Sequence, residues 1–380
     1  MAIATKTMVF PNYPFFMSAF GSDENESNSE PFNFTIRREL LLDPKEVWMG
    51  QRIGEGANSL VHKGMFRGSR YPCPVAVKIV EPSRTSALGI QHKQQFQKEV
   101  MLLSSLNHKN IVKFFGASIE PQLMIVTELI EGGTLQKYMW NSRPNPPNRK
   151  KALSFALDIS RAMEFLHSNG IIHRDLNPRN VLVTSNMEQV KLTGFGLATE
   201  KTKDGMTCEA GNYRWMAPEV CSTEPLKKGE KKHYDHKVDV YSFALILWSL
   251  LTNQIPFREI KIISIPYFVE KGKRPSLDNI PNEFVPILES CWAKDPEARL
   301  EFKEITVVLE KLLKDLCSAG TSNDTTTVSQ EESYDDAMDN LKATGLMKNG
   351  YRLLKKPKEE KKKKGMSKIL PFFKKLFSSK

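Results

Sequence analysis

No stretch of the chain reaches the uninterrupted apolar length, about 18 residues, that a membrane-crossing helix needs. The longest candidate, VDVYSFALILWSLL at 238–251, carries Asp239 and reads as a helix buried in a core. Cysteine is sparse, with five in 380 residues: Cys73, Cys208, Cys221, Cys291 and Cys317. They are odd in number and none shares a Cys-x-x-Cys spacing. That argues against a disulfide framework or a cysteine-built zinc site and fits a reducing compartment. No internal repeat is visible. The folded part also lacks an excess of positive charge. The formal net charge is +11, but residues 342–380 hold 14 basic and 2 acidic residues, so that segment carries +12 and the remainder −1. A nucleic-acid-binding domain would carry its charge on the fold itself, so no nucleic-acid partner is expected.

What is present divides the chain into three. The opening MAIATKTMVFPNYPFFMSAF sets one lysine before an apolar stretch, but two prolines break it, which favours a loose tail over a signal peptide. With the acidic, turn-rich SDENESNSEP at 22–31, residues 1–47 read as a flexible N-terminal extension. Residues 48–130 show short β-like runs around one helix. VAVKIV (75–80) and LMIVTEL (123–129) are strands by β-branched content, and Phe96, Val100, Leu103 and Glu99 share one face of the helix between them. Residues 131–316 are mainly helical. Ala152, Phe155, Ile159, Met163 and Leu166 recur at helical spacing before a stop at Gly170. VLV (181–183) and VKL (190–192) form an expected hairpin. Residues 317–380 read as a linker and a basic amphipathic tail. The expected fold is α+β and two-lobed, with a small β-rich lobe, a larger α-helical lobe and a cleft between them.

Chemistry enters through three motifs. In IGEGANSLV (53–61), Gly54 and Gly56 let backbone amides approach phosphate oxygens with no Cβ in the way, while Ser59 holds the third glycine position. Alone, the motif also fits a plain β-turn. Lys78 ends the apolar run VAVK, where a lysine is uncommon unless paired. Glu99 is the expected partner, and the pair would hold the lysine towards nucleotide phosphates. The alternative is a snorkelling lysine and a solvated glutamate. IIHRDLNPRNVLV (171–183) then places His173, Arg174, Asp175 and Asn180 in the H-R-D-L-x-x-x-N pattern, with a strand directly after it. YRWMAPE, KVDVYSFALILW and CWAKDPEARLEF follow at fitting distances.

On these motifs the chain resembles the eukaryotic protein kinase family over about residues 48–315. Its GNYRWMAPE and CWAKDPEAR wording is similar to the tyrosine-kinase-like group, especially plant Raf-like MAP kinase kinase kinases. The resemblance implies ATP as cofactor, a protein substrate or signalling partner, and serine/threonine phosphotransfer. It implies that Ile53, Gly54 and Gly56 cover the nucleotide, and that Val61, Ala76 and Leu182 sandwich adenine. Thr127 would be the gatekeeper, and Glu128 to Ile130 the hinge. Lys78 would hold phosphates and pair with Glu99, Asp175 would accept the substrate proton, and Asn180 would ligate magnesium. His173, Arg174, Phe195, Glu219, Asp239 and Arg299 would be structural, with Glu219 pairing Arg299 and Asp239 bracing the catalytic loop. Arg174 would also receive an activation-segment phosphate on Thr202 or Thr207, or bond only locally.

Three departures cluster at the transfer site. The D-F-G aspartate, a magnesium ligand, is Gly194 in KLTGFGLA. The family's lysine two residues after the catalytic aspartate is Asn177, and the threonine before Y-R-W is Asn212. Glycine offers no side-chain ligand, so magnesium binding is expected to be weakened. Losing a metal ligand and a cation together slows transfer on the order of 10³-fold or more. Arg179 could restore some of the charge. Two functions stay open at this point: a pseudokinase or signalling scaffold that binds ATP, and an active serine/threonine kinase.

The tail, KKPKEEKKKKGMSKILPFFKKLFSSK, joins a lysine run to Ile369, Phe372, Phe373, Leu376 and Phe377 at helical spacing. Basic residues beside an apolar helical face read as an anchor to an anionic membrane surface. The expected location is cytoplasmic and peripheral to a membrane. Nuclear import through KKPK, and a solvated or partner-docking tail, are the alternatives.

Overall fold

The structure, a computed structural model, describes residues 34–56, 58–68, 71–80, 86–200, 212–220 and 234–319. Five strands open the fold: β1 (Val47–Gly56), β2 (Ser59–Phe66), β3 (Cys73–Val80), β4 (Phe114–Ser118) and β5 (Met124–Glu128). They form one antiparallel sheet in the order β1-β2-β3-β5-β4. Strand alternation gives the sheet two different faces. Val75 and Val77 point to one side and pack with Val47, Phe66, Met124 and Val126 in a small core. Ala76 and Lys78 therefore point to the other. Val61 stands opposite Lys78, and Thr127 opposite Ala76, so these four residues share a face.

Helix α1 (Ser86–Ser105) lies between β3 and β4 in sequence. Phe96, Val100 and Leu103 are buried, and Glu99 is buried with them at 7% exposure. The segment before β1 departs from the sequence expectation. Residues 34–46 belong to the fold and not to a loose extension. Ile36 is buried, Phe34 packs on Phe96 with ring centroids 6.3 Å apart, and Gln97 donates to the Thr35 carbonyl at 2.9 Å. Leu42 N donates to Ala117 O of β4 at 2.9 Å. Its apolar residues, Phe34, Ile36 and the run Leu40–Leu42, follow neither helical nor strand spacing, so no periodicity marks the segment.

The second part is helical: α2 (Leu135–Asn141), α3 (Arg149–Ser168), α4 (Lys237–Thr252), α5 (Ile265–Glu270), α6 (Val285–Cys291) and α7 (Phe302–Ala319). Asn148 caps α3 by accepting from Lys151 N at 2.8 Å, and the helix ends at Gly170 with φ +71°. Lys237 to Leu251 of α4 are all buried, as an apolar helix without a polar stripe requires. Helix α3 packs on α4 and α7. Short strands β6 (Ile171–Ile172), β7 (Val181–Val183), β8 (Val190–Leu192) and β9 (Thr199–Glu200) lie between α3 and α4 in sequence. β7 and β8 form the expected hairpin, and β6 pairs with β9. The result is the expected α+β, two-lobed fold, a β-sheet lobe joined to a helical one. Among the described residues no helix is long and apolar enough to cross a membrane.

Candidate active site

Lys78 and Glu99 meet directly. The ammonium lies 2.8 Å from Oε1 and 2.7 Å from Oε2 of the carboxylate. The glutamate is buried and the lysine side chain 29% exposed, so the pair opens towards the cleft face of the sheet. A buried carboxylate on α1 holds a partly exposed ammonium on β3, which leaves that ammonium able to meet an anion. Gln95, one turn earlier, donates to Gly196 O at 2.6 Å and ties α1 to the loop that follows β8.

The loop at 173–180 is organised from beneath by Asp239 on α4. Its Oδ2 accepts from His173 N at 2.8 Å and its Oδ1 from Arg174 N at 2.9 Å, while His167 Nε2 lies 3.0 Å from Oδ2. Burial pushes this carboxyl's pKa up, but the His167 hydrogen bond, the two imidazoles and the His173 amide outweigh it and hold it below the ordinary value. Arg174 sits at φ +63°, a strained conformation for a non-glycine residue, and the two amide bonds to Asp239 lock it there. His173 accepts from Asp175 N at Nδ1 (3.3 Å) and faces Thr193 O with Nε2 (3.0 Å), which assigns the ring proton to Nε2.

Asp175 is held by two amides. Asn177 Nδ2 donates to Oδ1 at 2.9 Å, and Asn180 Nδ2 donates to Oδ2 at 2.7 Å. Both amides also donate to the Asp175 main-chain oxygen, at 2.9 and 2.7 Å. Burial raises the carboxyl's pKa above its usual range, opposed by His173, the two amides and Arg179. Asn177 is thus more than a missing lysine. It clamps the carboxylate and, through Oδ1, accepts from Arg179 N at 2.9 Å. The sequence signal for this was an Asn two residues after an Asp, a local Asx pattern. Arg179 places its charge near Asp175, where it favours the carboxylate. Its exposed guanidinium donates Nε–H to Gln136 of α2 at 2.9 Å.

Gly194 lies at φ +84°, ψ +39°, directly before a short 3₁₀ turn at Phe195–Leu197. A Cβ added there would stand 2.4–2.7 Å from the side-chain atoms of Asn180. The Asn180 amide therefore fills the space where a side chain at 194 would begin. Phe195 is fully buried against His173, with ring centroids 5.1 Å apart. A magnesium ion needs several oxygen ligands in near-octahedral array. Here Asn180 offers one neutral oxygen, both Asp175 oxygens accept from amides, and Glu99 is held by Lys78. These residues do not fit a bridging magnesium ion. The Lys78 ammonium does fit the anionic end of a nucleotide.

The remaining candidate residues take the following positions. Gly54 stands opposite Val61 across β1 and β2, Gly56 opposite Ser59 at the hairpin end, and Ile53 is half exposed. Glu128 Oε1 accepts from Lys113 N at 2.7 Å and from Lys191 Nζ at 2.6 Å, and Ile130 follows in the connecting segment. A Cβ on Gly132 would lie 2.3 Å from Val183 O, so only glycine lets this segment close on β7, which carries Leu182. Arg299 is fully buried and grips Glu219 with two bonds of 2.6 and 2.8 Å, which removes the surface-pair alternative. Arg174 donates Nε–H to Leu197 O at 2.6 Å and Nη1–H to Tyr234 Oη at 3.3 Å. Thr202, Thr207, the acidic 22–31 stretch and the basic tail lie outside the described residues.

The family model for protein tyrosine and serine/threonine kinases matches residues 47–309. Serine/threonine-protein kinase STY17 of Arabidopsis thaliana is 36% identical over 285 residues, 73% of this chain and 46% of that protein. Serine/threonine/tyrosine-protein kinase HT1 of the same plant is 36% identical over 280 residues, covering 72% of this chain and 68% of the relative. Human mitogen-activated protein kinase kinase kinase 7 is 33% identical over 296 residues, 76% of this chain and 45% of its own length. The chain thus spans about half the length of several relatives it matches. The glycine hairpin, the Lys78–Glu99 pair, the Asp239-braced loop and the buried Glu219–Arg299 pair lie within the matched region, and the chain belongs to the protein tyrosine and serine/threonine kinase family.

Proposed function

We propose that the chain is a kinase-fold signalling module that binds ATP in its cleft and transfers phosphate weakly or not at all. The observation that carries this is Gly194. It has no ligand to offer, and the Asn180 amide occupies the adjoining space while bonded to Asp175. Metal and charge stabilisation supply much of the acceleration of phosphoryl transfer. Nucleotide affinity rests more on Lys78 and the adenine-facing residues, which are intact, so binding outlasts catalysis.

An active serine/threonine kinase is the second reading, and the assembled Lys78–Glu99 pair favours it. ATP-induced thermal shift and phosphotransfer, each with magnesium and with EDTA, separate the two. Wild type is expected to shift with ATP and to transfer little. Wild-type transfer abolished by Lys78→Met would sink the pseudokinase reading. Gly194→Asp with Asn177→Lys is expected to gain activity, and a silent double variant would show that other residues limit the chemistry.

The basic tail extends the proposal to an anionic membrane surface, at roughly 1 kcal/mol per surface lysine. Vesicles containing anionic lipid should sediment the full chain but not one lacking residues 350–380. Equal sedimentation of both at physiological salt removes the anchor.

A further inference from the structure

A second group of polar side chains lies below the catalytic loop, on the far side of Asp239. His167 is in the last turn of α3, His236 directly precedes α4, and Glu301 directly precedes α7. One ligand-competent atom from each lies within 4.8 Å of the other two. The two imidazoles meet edge to face with ring centroids 4.9 Å apart.

His167 supplies the decisive detail. Its side chain is only 7% exposed. Nε2 faces the Asp239 carboxylate at 3.0 Å, which assigns the ring proton to that nitrogen. Nδ1 is then a bare lone pair, and it is buried with no hydrogen-bond partner. A buried acceptor without a partner is costly. His236 is arranged in a similar way, with Nδ1 3.5 Å from Asp235 Oδ2 and Nε2 2.9 Å from Glu301 Oε2. A carboxylate behind each imidazole is how metal-binding histidines are oriented and made more basic.

We propose that His167, His236 and Glu301 form a binding site for a zinc-type transition-metal ion, with water completing a four-coordinate shell. Two imidazoles and one carboxylate suit zinc in ligand type and number. The ion replaces the proton that now links His236 Nε2 to Glu301 Oε2. Lys237 binds the other Glu301 oxygen at 2.9 Å and leaves Oε2 for the metal. Around the site, the carboxylates of Asp235, Asp239, Glu301 and, beside Glu301, Glu304 outnumber the Lys237 ammonium, a surplus of negative charge that favours a cation. Glu301 is 47% exposed, so the ion has an entry path from solvent. Once bound, it joins the ends of three helices and fixes the imidazole that holds Asp239. Asp239 in turn sets the backbone at His173 and Arg174.

The test uses the full chain stripped with chelator, titrated with Zn²⁺ by calorimetry and with Co²⁺ by visible absorption. His236→Gln and Glu301→Gln are the variants, because both positions reach solvent, and the unliganded melting temperature of each confirms that it folds. Wild type should take up one equivalent and show the intense absorption of four-coordinate cobalt. Each variant should bind at least about tenfold more weakly and lose that absorption. Zinc should raise the melting temperature of wild type and leave both variants unmoved. No uptake by wild type, or uptake in either variant equal to wild type, overturns the proposal. The latter outcome would place the ion elsewhere, on the cysteines for example, and leave the three residues as a hydrogen-bonded group.

Discussion

Replacing Gly194 by aspartate forces a choice on Asn180. The new Cβ would stand 2.4–2.7 Å from the Asn180 amide, so that side chain must rotate away. Rotation breaks its bonds to the Asp175 carboxylate and carbonyl, both 2.7 Å. Two such bonds contribute about 1 kcal/mol each. The left-handed backbone at φ +84° costs a further ~1 kcal/mol for aspartate, which tolerates that region better than most residues. The total is about 3 kcal/mol, or about 6–12 °C in melting temperature for a domain of this size. Differential scanning fluorimetry in EDTA measures it directly. Gly194→Ala should fall similarly. Magnesium with nucleotide should then recover part of the loss in the aspartate variant alone, because only that variant gains a ligand. An aspartate variant that melts with wild type in EDTA would refute the reasoning, since the Asn180 amide would not be fixed in the space claimed for it.

Other outcomes follow from the same geometry. Glu219→Gln leaves the fully buried Arg299 guanidinium without its counter-charge and should cost about 3 kcal/mol by urea denaturation. A loss under about 0.5 kcal/mol would mark the pair as no more than a surface contact. Asp239 titrates below its ordinary value in the fold, so the unfolded chain binds more protons in acid. The stability it contributes is full above that ordinary value and is lost as pH falls through the folded value, chiefly below about pH 5. Asp239→Asn should flatten the acid limb of a melting-temperature profile, and an unchanged limb would shift the effect to other carboxylates. Lys78→Met should remove the ATP-induced thermal shift and, by leaving the buried Glu99 without its counter-charge, also lower the unliganded melting temperature; an undiminished ATP shift would take Lys78 out of nucleotide binding.

Much of the cleft was legible because its residues sit in short, rigidly spaced motifs. Strand alternation in VAVK already separates Val75 and Val77 from Ala76 and Lys78, and helical spacing already puts Glu99 beside Phe96 and Val100. The catalytic loop was readable by residue type. Its internal hydrogen bonding was not, since the double clamp on Asp175 depends on how two asparagine side chains turn. Arg179 illustrates the same limit: its position in sequence placed it near Asp175, whereas its hydrogen bond to Gln136 of α2 has no spacing rule to mark it. The His167, His236 and Glu301 group was invisible because three distant chain segments bring it together, with no spacing rule to announce it. Residues 34–46 were missed for a related reason, as their partners on α1 and β4 are remote in sequence.

That last segment bears on where the folded unit begins. In the sheet order, β4 is an outer strand, and an outer strand offers unpaired amides and carbonyls to any passing chain. Leu42 takes up the Ala117 carbonyl, and Leu41 bridges to the same residue, so the segment before β1 closes part of that edge. Phe34, on Phe96, and the Thr35 carbonyl, bonded by Gln97, add cover over the helix that bears Glu99. A fragment cut where the family match starts would bare an aggregation-prone margin and strip the outer support from α1. Residues 34–46 are therefore a guard for the sheet and a backstop for the helix that carries the Lys78–Glu99 ion pair.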